Sequence, residues 1–171
     1  MIYFITENYI KTQTPVTRNV DVNEITPFVK TCSDRRIQPI LGSYFYNDLL
    51  TKYNAQTLSA DETTLVQKIQ PCVAWYSAAE AVMALSYQLK NKGIQKQNGD
   101  FSESVGKDEI LLMYDHYQSE AAFYEQRIRI YLKEYKDLFS AYTSTLNTDS
   151  DMKPDKNTQT NTGYTNNIIV I

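Results

Sequence analysis

The strongest constraint on this chain is a seam near its C-terminal third. Ile110, Tyr114, Tyr117, Ala121, Tyr124, Ile128, Tyr131, Tyr135, Leu138 and Tyr142 step by alternating four and three residues, a heptad spacing that predicts one long helix. Five glycines and five prolines occur in all 171 residues, and none of them interrupts the seam. Tyrosine is hard to bury completely because its hydroxyl wants a partner, so the seam is a poor fit to a dry two-stranded coiled coil. Two readings stand: the helix packs along a second helix of its own bundle, or the seam is shared between subunits.

A second long helix precedes it. Ser59 and Glu62 have capping-box spacing. From Leu65 to Leu89 two apolar stripes run together, Leu65, Ile69, Cys72, Tyr76, Ala79 and Met83 beside Val66, Val73, Val82 and Leu89. A helix apolar nearly all round is expected to be covered on several sides, with a kink or break at Pro71. Asn91-Lys92-Gly93 reads as its stop. Between the two long helices lies Gln97-Asn98-Gly99-Asp100, and Asn-Gly is the strongest short hairpin signal. The expectation is a small β-hairpin over 94–104.

Upstream, Asp21 and Glu24 mark a helix start, and Ile25, Phe28, Val29, Cys32 and Ile37 recur at helical spacing. Pro39 is read as ending that run, with another helix from about Leu41 to Tyr53. Residues 1–20 read as an extended polar arm, since Thr14-Pro15-Val16-Thr17 is an extended signal. Residues 145–171 read as a polar extended tail that ends in Ile168-Ile169-Val170-Ile171. Four β-branched residues after a polar stretch suit strand addition to a neighbour's sheet edge, or burial in a groove of another subunit. The fold class is therefore mainly α: a helical bundle over 21–144, with two long helices joined by a hairpin and an extension at either end.

Composition narrows the chemistry. Seventeen Lys plus Arg stand against 20 Asp plus Glu, a formal charge of -3, which provides no global field for drawing in nucleic acid. The most apolar stretch, Val73 to Leu85, is too short for a membrane span and carries Ser77 and Glu80. The start of the chain has no basic n-region, so it does not read as a secretion signal and points to synthesis in a reducing cytoplasm. Cys32 and Cys72 lack metal or redox spacing and read as packing residues. His116 is the single histidine, and Asp115 and Glu120 beside it read as surface partners rather than a relay. Arg127, Arg129, Lys133 and Lys136 interleave with Glu125, Glu134 and Asp137, a pattern of a mixed-charge outer face. No phosphate loop, Gly-x-Gly-x-x-Gly or Gly-x-Ser-x-Gly occurs. No catalytic, cofactor-binding or metal-binding residue is assigned.

The order of elements carries a resemblance: polar arm, short helix, Ile37-Gln38-Pro39-Ile40-Leu41-Gly42-Ser43-Tyr44-Phe45-Tyr46-Asn47-Asp48-Leu49-Leu50, central helix, Asn-Gly segment, long helix, extended tail. From Asp21 to Tyr142 it resembles the head-to-tail connector (adaptor) ring proteins of tailed bacteriophages, most like those of crAss-like phages. The resemblance implies a structural virion protein at the portal vertex, in a ring commonly of twelve copies. It also implies contacts with the portal protein and with the next tail or ring protein, around duplex DNA that passes without sequence reading. The protein-interaction candidates it singles out are Ile94, Gln97, Asn98, Gly99, Asp100 and Phe101, with Ile168, Ile169, Val170 and Ile171 at the tip. Readings from other classes are a cytoplasmic helical-bundle enzyme or ligand binder with a Tyr-lined pocket, and a monomeric regulatory module.

Overall fold

The computed structural model describes residues 3–16, 21–90, 93–96, 106–148 and 151–156, with the side chains at 22, 87–90 and 93–96 left out. The described chain is mainly helical. Its axis is an antiparallel pair, α5 (Ala60–Ser86) and α6 (Lys107–Tyr135), the most extensively packed elements of the molecule. The seam is thus chiefly an intramolecular one. Both helices start where local chemistry dictates. Ser59 Oγ accepts from the Glu62 N–H at 3.2 Å while the Glu62 carboxylate accepts from the Ser59 N–H at 2.9 Å. At α6 the Glu109 carboxylate accepts from the Gly106 N–H at 2.8 Å, so in each case donors that the helix leaves open are satisfied.

Around this pair pack α1 (Glu7–Gln13), α2 (Val22–Cys32), α3 (Gln38–Leu41) and α4 (Ser43–Ala55). As expected from its two stripes, α5 is buried on nearly every side, Cys72 to Ala74 and Tyr76 to Ala79 being wholly covered. It runs through Pro71 as a single helix. α2 begins after Asp21, whose carboxylate accepts from the Asn23 N–H at 2.9 Å. Pro39 does not end the run that follows. A π-helical turn over Ser33–Ile37 precedes it, and Pro39 sits in the first turn of α3. Proline offers no N–H to the carbonyl one turn back and crowds it, and a widened turn accommodates both effects. The chain breaks instead at Gly42, with φ +80° and ψ 149°, a backbone region open in practice only to glycine.

Three sequence expectations are corrected. The N-terminal segment is not an extended arm: Glu7–Gln13 form a helix, Thr6 Oγ1 accepts from the Tyr9 N–H, and Phe4, Ile5 and Ile10 are core residues. Gln70 Nε2 donates to the Phe4 carbonyl at 2.9 Å, which fixes the segment to α5. A long helix does not continue to Tyr142. α6 stops at Tyr135 and is followed by a 3-10 turn, Lys136–Leu138, then α7 (Ser140–Thr143) and α8 (Thr145–Thr148). That chain reversal returns Phe139 and Tyr142 to the core, against the Phe45 ring.

Nor is a hairpin turning at Asn98-Gly99 supported. Strand β1 (Tyr87–Lys90) pairs antiparallel with β2 (Gly93–Lys96), with Lys90 opposite Gly93 and Leu89 opposite Ile94. Tyr87-Gln88-Leu89-Lys90 alternates apolar and polar, as a strand flank requires. Asp100-Phe101-Ser102-Glu103-Ser104 provides less of that pattern, so the upstream pairing wins. The Asn98-Gly99 segment itself lies outside the described residues.

Candidate functional site

None of the sequence-predicted interaction residues converge on one place in the described structure. Ile94 is in β2, while Gln97, Asn98, Gly99, Asp100, Phe101 and the tip Ile168, Ile169, Val170 and Ile171 lie outside the described residues. What the structure does show is a charged network inside the bundle, a clasp made by the C-terminal segment, and an apolar row on the outward face of α6.

The network overturns the reading of α6 as a mixed-charge outer face at two of its positions. Glu125 and Arg129 are 4% and 7% exposed. They fall on the inward stripe with Ala121, Ile128 and Leu132, and α5 lies across from them. Arg129 Nε and Nη2 donate to Glu125 Oε1 at 3.0 and 2.8 Å, and Tyr76 Oη donates to Glu125 Oε2 at 2.7 Å. On its other side Arg129 Nη1 donates to Asp155 Oδ2 at 3.0 Å and to the Asp155 carbonyl at 3.3 Å. The Arg36 guanidinium lies 4.4 Å from the centre of the Tyr76 ring. Burial first, and the Glu125 charge second, push the Tyr76 hydroxyl far above its ordinary range, so it acts as a fixed donor. Each of these polar side chains is hydrogen-bonded to another, so the buried charges are satisfied within the network.

Residues 140–148 and 151–156 close over the Gln38–Ser43 stretch. Asn147 is fully buried: its Nδ2 donates to the carbonyls of Leu41 at 2.8 Å and Tyr142 at 3.1 Å, and its Oδ1 accepts from the Phe45 N–H at 3.2 Å. Outside it, the Ser43 N–H donates to the Met152 carbonyl at 2.9 Å and the Asp155 N–H to the Pro39 carbonyl at 2.7 Å. In the stretch expected to begin a free polar tail, residues 145–148 and 151–156 are therefore part of the folded unit. A β-carbon on Gly42 would stand 2.3 Å from Asn147 Oδ1, so the glycine is required by space as well as by φ.

The remaining candidates for chemistry do not assemble. His116 is exposed, with its ring 5.9 Å from that of Tyr117. Cys32 and Cys72 are buried free thiols. Desolvation pushes Cys32 up to about 12 and Cys72 well up, which suppresses the reactive thiolate. Among the described residues no cluster of His, Cys, Asp or Glu could hold a metal ion, and no helix is long and apolar enough to cross a membrane.

The surface of α6 is different. With 3.6 residues per turn, Leu112, Phe123 and Ile130 fall within about 20° of one another and roughly opposite Ile110, Tyr117, Ala121 and Ile128. They are 72%, 58% and 42% exposed and span about 27 Å of helix. Ser119 and His116 lie between them, and the Arg127 guanidinium sits 5.8 Å from the Phe123 ring. A lone exposed leucine needs no explanation, but a row on the face turned away from the core does.

Residues 37–152 match the family described as "Family of unknown function (DUF6712)". The chain belongs to that family. The DUF6712 segment begins at the last residue of the π turn and ends at Met152, the acceptor for Ser43. It contains Tyr76, Glu125 and Arg129 of the buried network, Asn147 and Met152 of the clasp and the outward row, and it leaves out α1, α2, Arg36 and Asp155. No curated protein and no solved structure matches the chain.

Proposed function

We propose that the chain is a structural subunit of a closed ring at the portal vertex of a tailed bacteriophage, joining portal to tail around the DNA channel. The observation that carries this reading is the row Leu112, Phe123 and Ile130, three large apolar side chains on the long helix α6 that face away from the core. Its occupant on this reading is a second copy of the chain. A row that meets a different face of the next copy is a heterologous contact, and such contacts close into rings when the rotation allows. The part of the connector-like order that the described residues keep, a short helix, the 37–50 stretch and two long helices, points the same way, with about twelve copies, the portal protein on one side and the next tail or ring protein on the other. The segment 94–104 and the tip Ile168–Ile171 are then the contacts to those neighbours. Duplex DNA passes without being read.

Two features of the interior support a structural over a catalytic role. The buried ionisable groups satisfy each other, and both thiols are held unreactive. On this reading the chain is not an enzyme; it is made in the host cytoplasm and resides in the virion. A Tyr-lined ligand binder would need its pocket between the long helices, and the cavities of about 220 Å³ at Arg129 and about 420 Å³ at Tyr53 lie elsewhere. Mass photometry of the full chain, alone and with candidate portal protein, tests the proposal. A large closed oligomer in either condition supports it, and a monomer indifferent to portal sinks it.

A further inference from the structure

We infer that the cavity at the C-terminal end of α6 is a binding site for a phosphate group. Four cationic residues, Arg129, Lys133, Lys136 and Lys156, and one acidic residue, Asp155, line this space of about 220 Å³. Arg129 is already engaged by Glu125 and Asp155. Lys133, Lys136 and Lys156 have no carboxylate partner among the described residues. The negative end of the α6 dipole accounts for a lysine at 133 and at 136, since both stand at its last turn. It does not account for Lys156, which arrives on a separate segment. Its neighbour Asp155 is pinned by the bond to the Pro39 carbonyl and by Arg129. Those two contacts hold the segment that places Lys156 in the lining of the same cavity as Lys133 and Lys136.

The chemistry selects the ligand. A planar carboxylate is best held by an arginine fork, but the one arginine here is occupied; what remains are lysines, point charges suited to a tetrahedral oxyanion. Three ammonium groups are better matched by a phosphate, with more than one negative charge, than by a single carboxylate. The cavity is smaller than the roughly 300–1,000 Å³ of sites for drug-sized ligands and leaves room for an oxyanion with some of its water. The phosphate could be free or could belong to a nucleic-acid backbone. The site stands on its own geometry; only the backbone as source rests on the ring reading, which brings duplex DNA past the subunits.

The test uses the full-length protein and the triple variant Lys133→Gln, Lys136→Gln, Lys156→Gln, with Lys153→Gln as a charge control. Thermal unfolding is followed in sodium phosphate and in sodium chloride at equal ionic strength. Because phosphate also stabilises proteins by exclusion from their surface, the readout is the difference between variants. A phosphate-specific Tm rise of about 4 °C at ten times Kd, lost in the triple variant and kept in the control, is the expected result. No phosphate-specific rise, or one that the triple variant retains, overturns the site. A short duplex that binds, is displaced by phosphate, and loses about 2.7 from its log–log salt slope in the triple variant identifies the backbone as the source. A phosphate effect without duplex binding supports the site with free phosphate as its ligand and counts against this face lining a DNA channel, while ring formation is read separately from particle mass.

Discussion

Replacing Arg129 with methionine removes the one cation between two carboxylates of very different exposure, and the structure fixes the cost. Glu125 is 4% exposed and would keep only the Tyr76 hydroxyl, so its charge would be buried without compensation. Breaking a buried pair in this way costs about 3–5 kcal/mol. Asp155, with its side chain 47% exposed, can regain water, so its share is at most about 1 kcal/mol. The expected loss is about 4 kcal/mol, roughly a thousandfold in the folded-to-unfolded ratio, read as a lower urea midpoint at unchanged slope. Removing the stranded charge as well, Arg129→Met with Glu125→Leu, should recover about half or more of that loss. Adding Tyr76→Phe, which deletes a hydroxyl left without an acceptor, should recover most of the rest. A loss below about 1 kcal/mol in the single variant, or a double variant no better than the single, would refute the view that Glu125 and Arg129 are internal partners.

Two further outcomes follow from the same structure. Gly42→Ala combines a glycine-only backbone with a β-carbon 2.3 Å from Asn147 Oδ1, and denaturant unfolding should show a loss of about 3 kcal/mol. Alkaline titration should destabilise the protein from about pH 9 upward. Burial holds the folded pKa of Cys32, Cys72, Tyr46 and Tyr76 above their ordinary values, so above those values the unfolded chain releases protons that the folded one retains. Each such group removes about 1.4 kcal/mol per pH unit once past its unfolded pKa, and Tm measured from pH 8 to 11 should fall with growing steepness.

Local signals in the sequence reported what they are able to report. Asp21, Ser59 and Glu62 marked helix starts because capping chemistry is contained within four residues, and the two stripes on α5 announced a helix covered all round. Errors arose where a tertiary partner decides. The seam on α6 was read at a period of 3.5, which selects Tyr124, Tyr131 and Tyr135. A straight helix turns at 3.6 and drifts about 20° per heptad; Ile128 stays buried, but Glu125, Arg129 and Leu132 join it in the interior while Tyr135 ends 46% exposed. Following the 3.6 period from Ala121 would have placed Glu125 and Arg129 inward and exposed the need for partners. Asn147 gave no such signal, because the groups it satisfies, Leu41 and Phe45, are about a hundred residues away. Phe4 and Ile10 were missed for a similar reason: a seven-residue helix is too short for periodicity to reveal, and only α5 makes it stable. The outward row was present in the sequence as Leu112, Phe123 and Ile130, but it becomes visible only once the opposite face is known to be the buried one.

The central claim, that the outward face of α6 joins copies of this chain, is tested most directly by native mass spectrometry of the full-length protein with portal protein present. Wild type and the variant Phe123→Asp with Ile130→Asp should be compared at equal concentration. Both side chains are exposed, so circular dichroism and Tm should be nearly unchanged, while the closed oligomer formed by wild type is lost in the variant. A variant that assembles to the same mass as wild type, or a wild type that stays monomeric, would contradict the account.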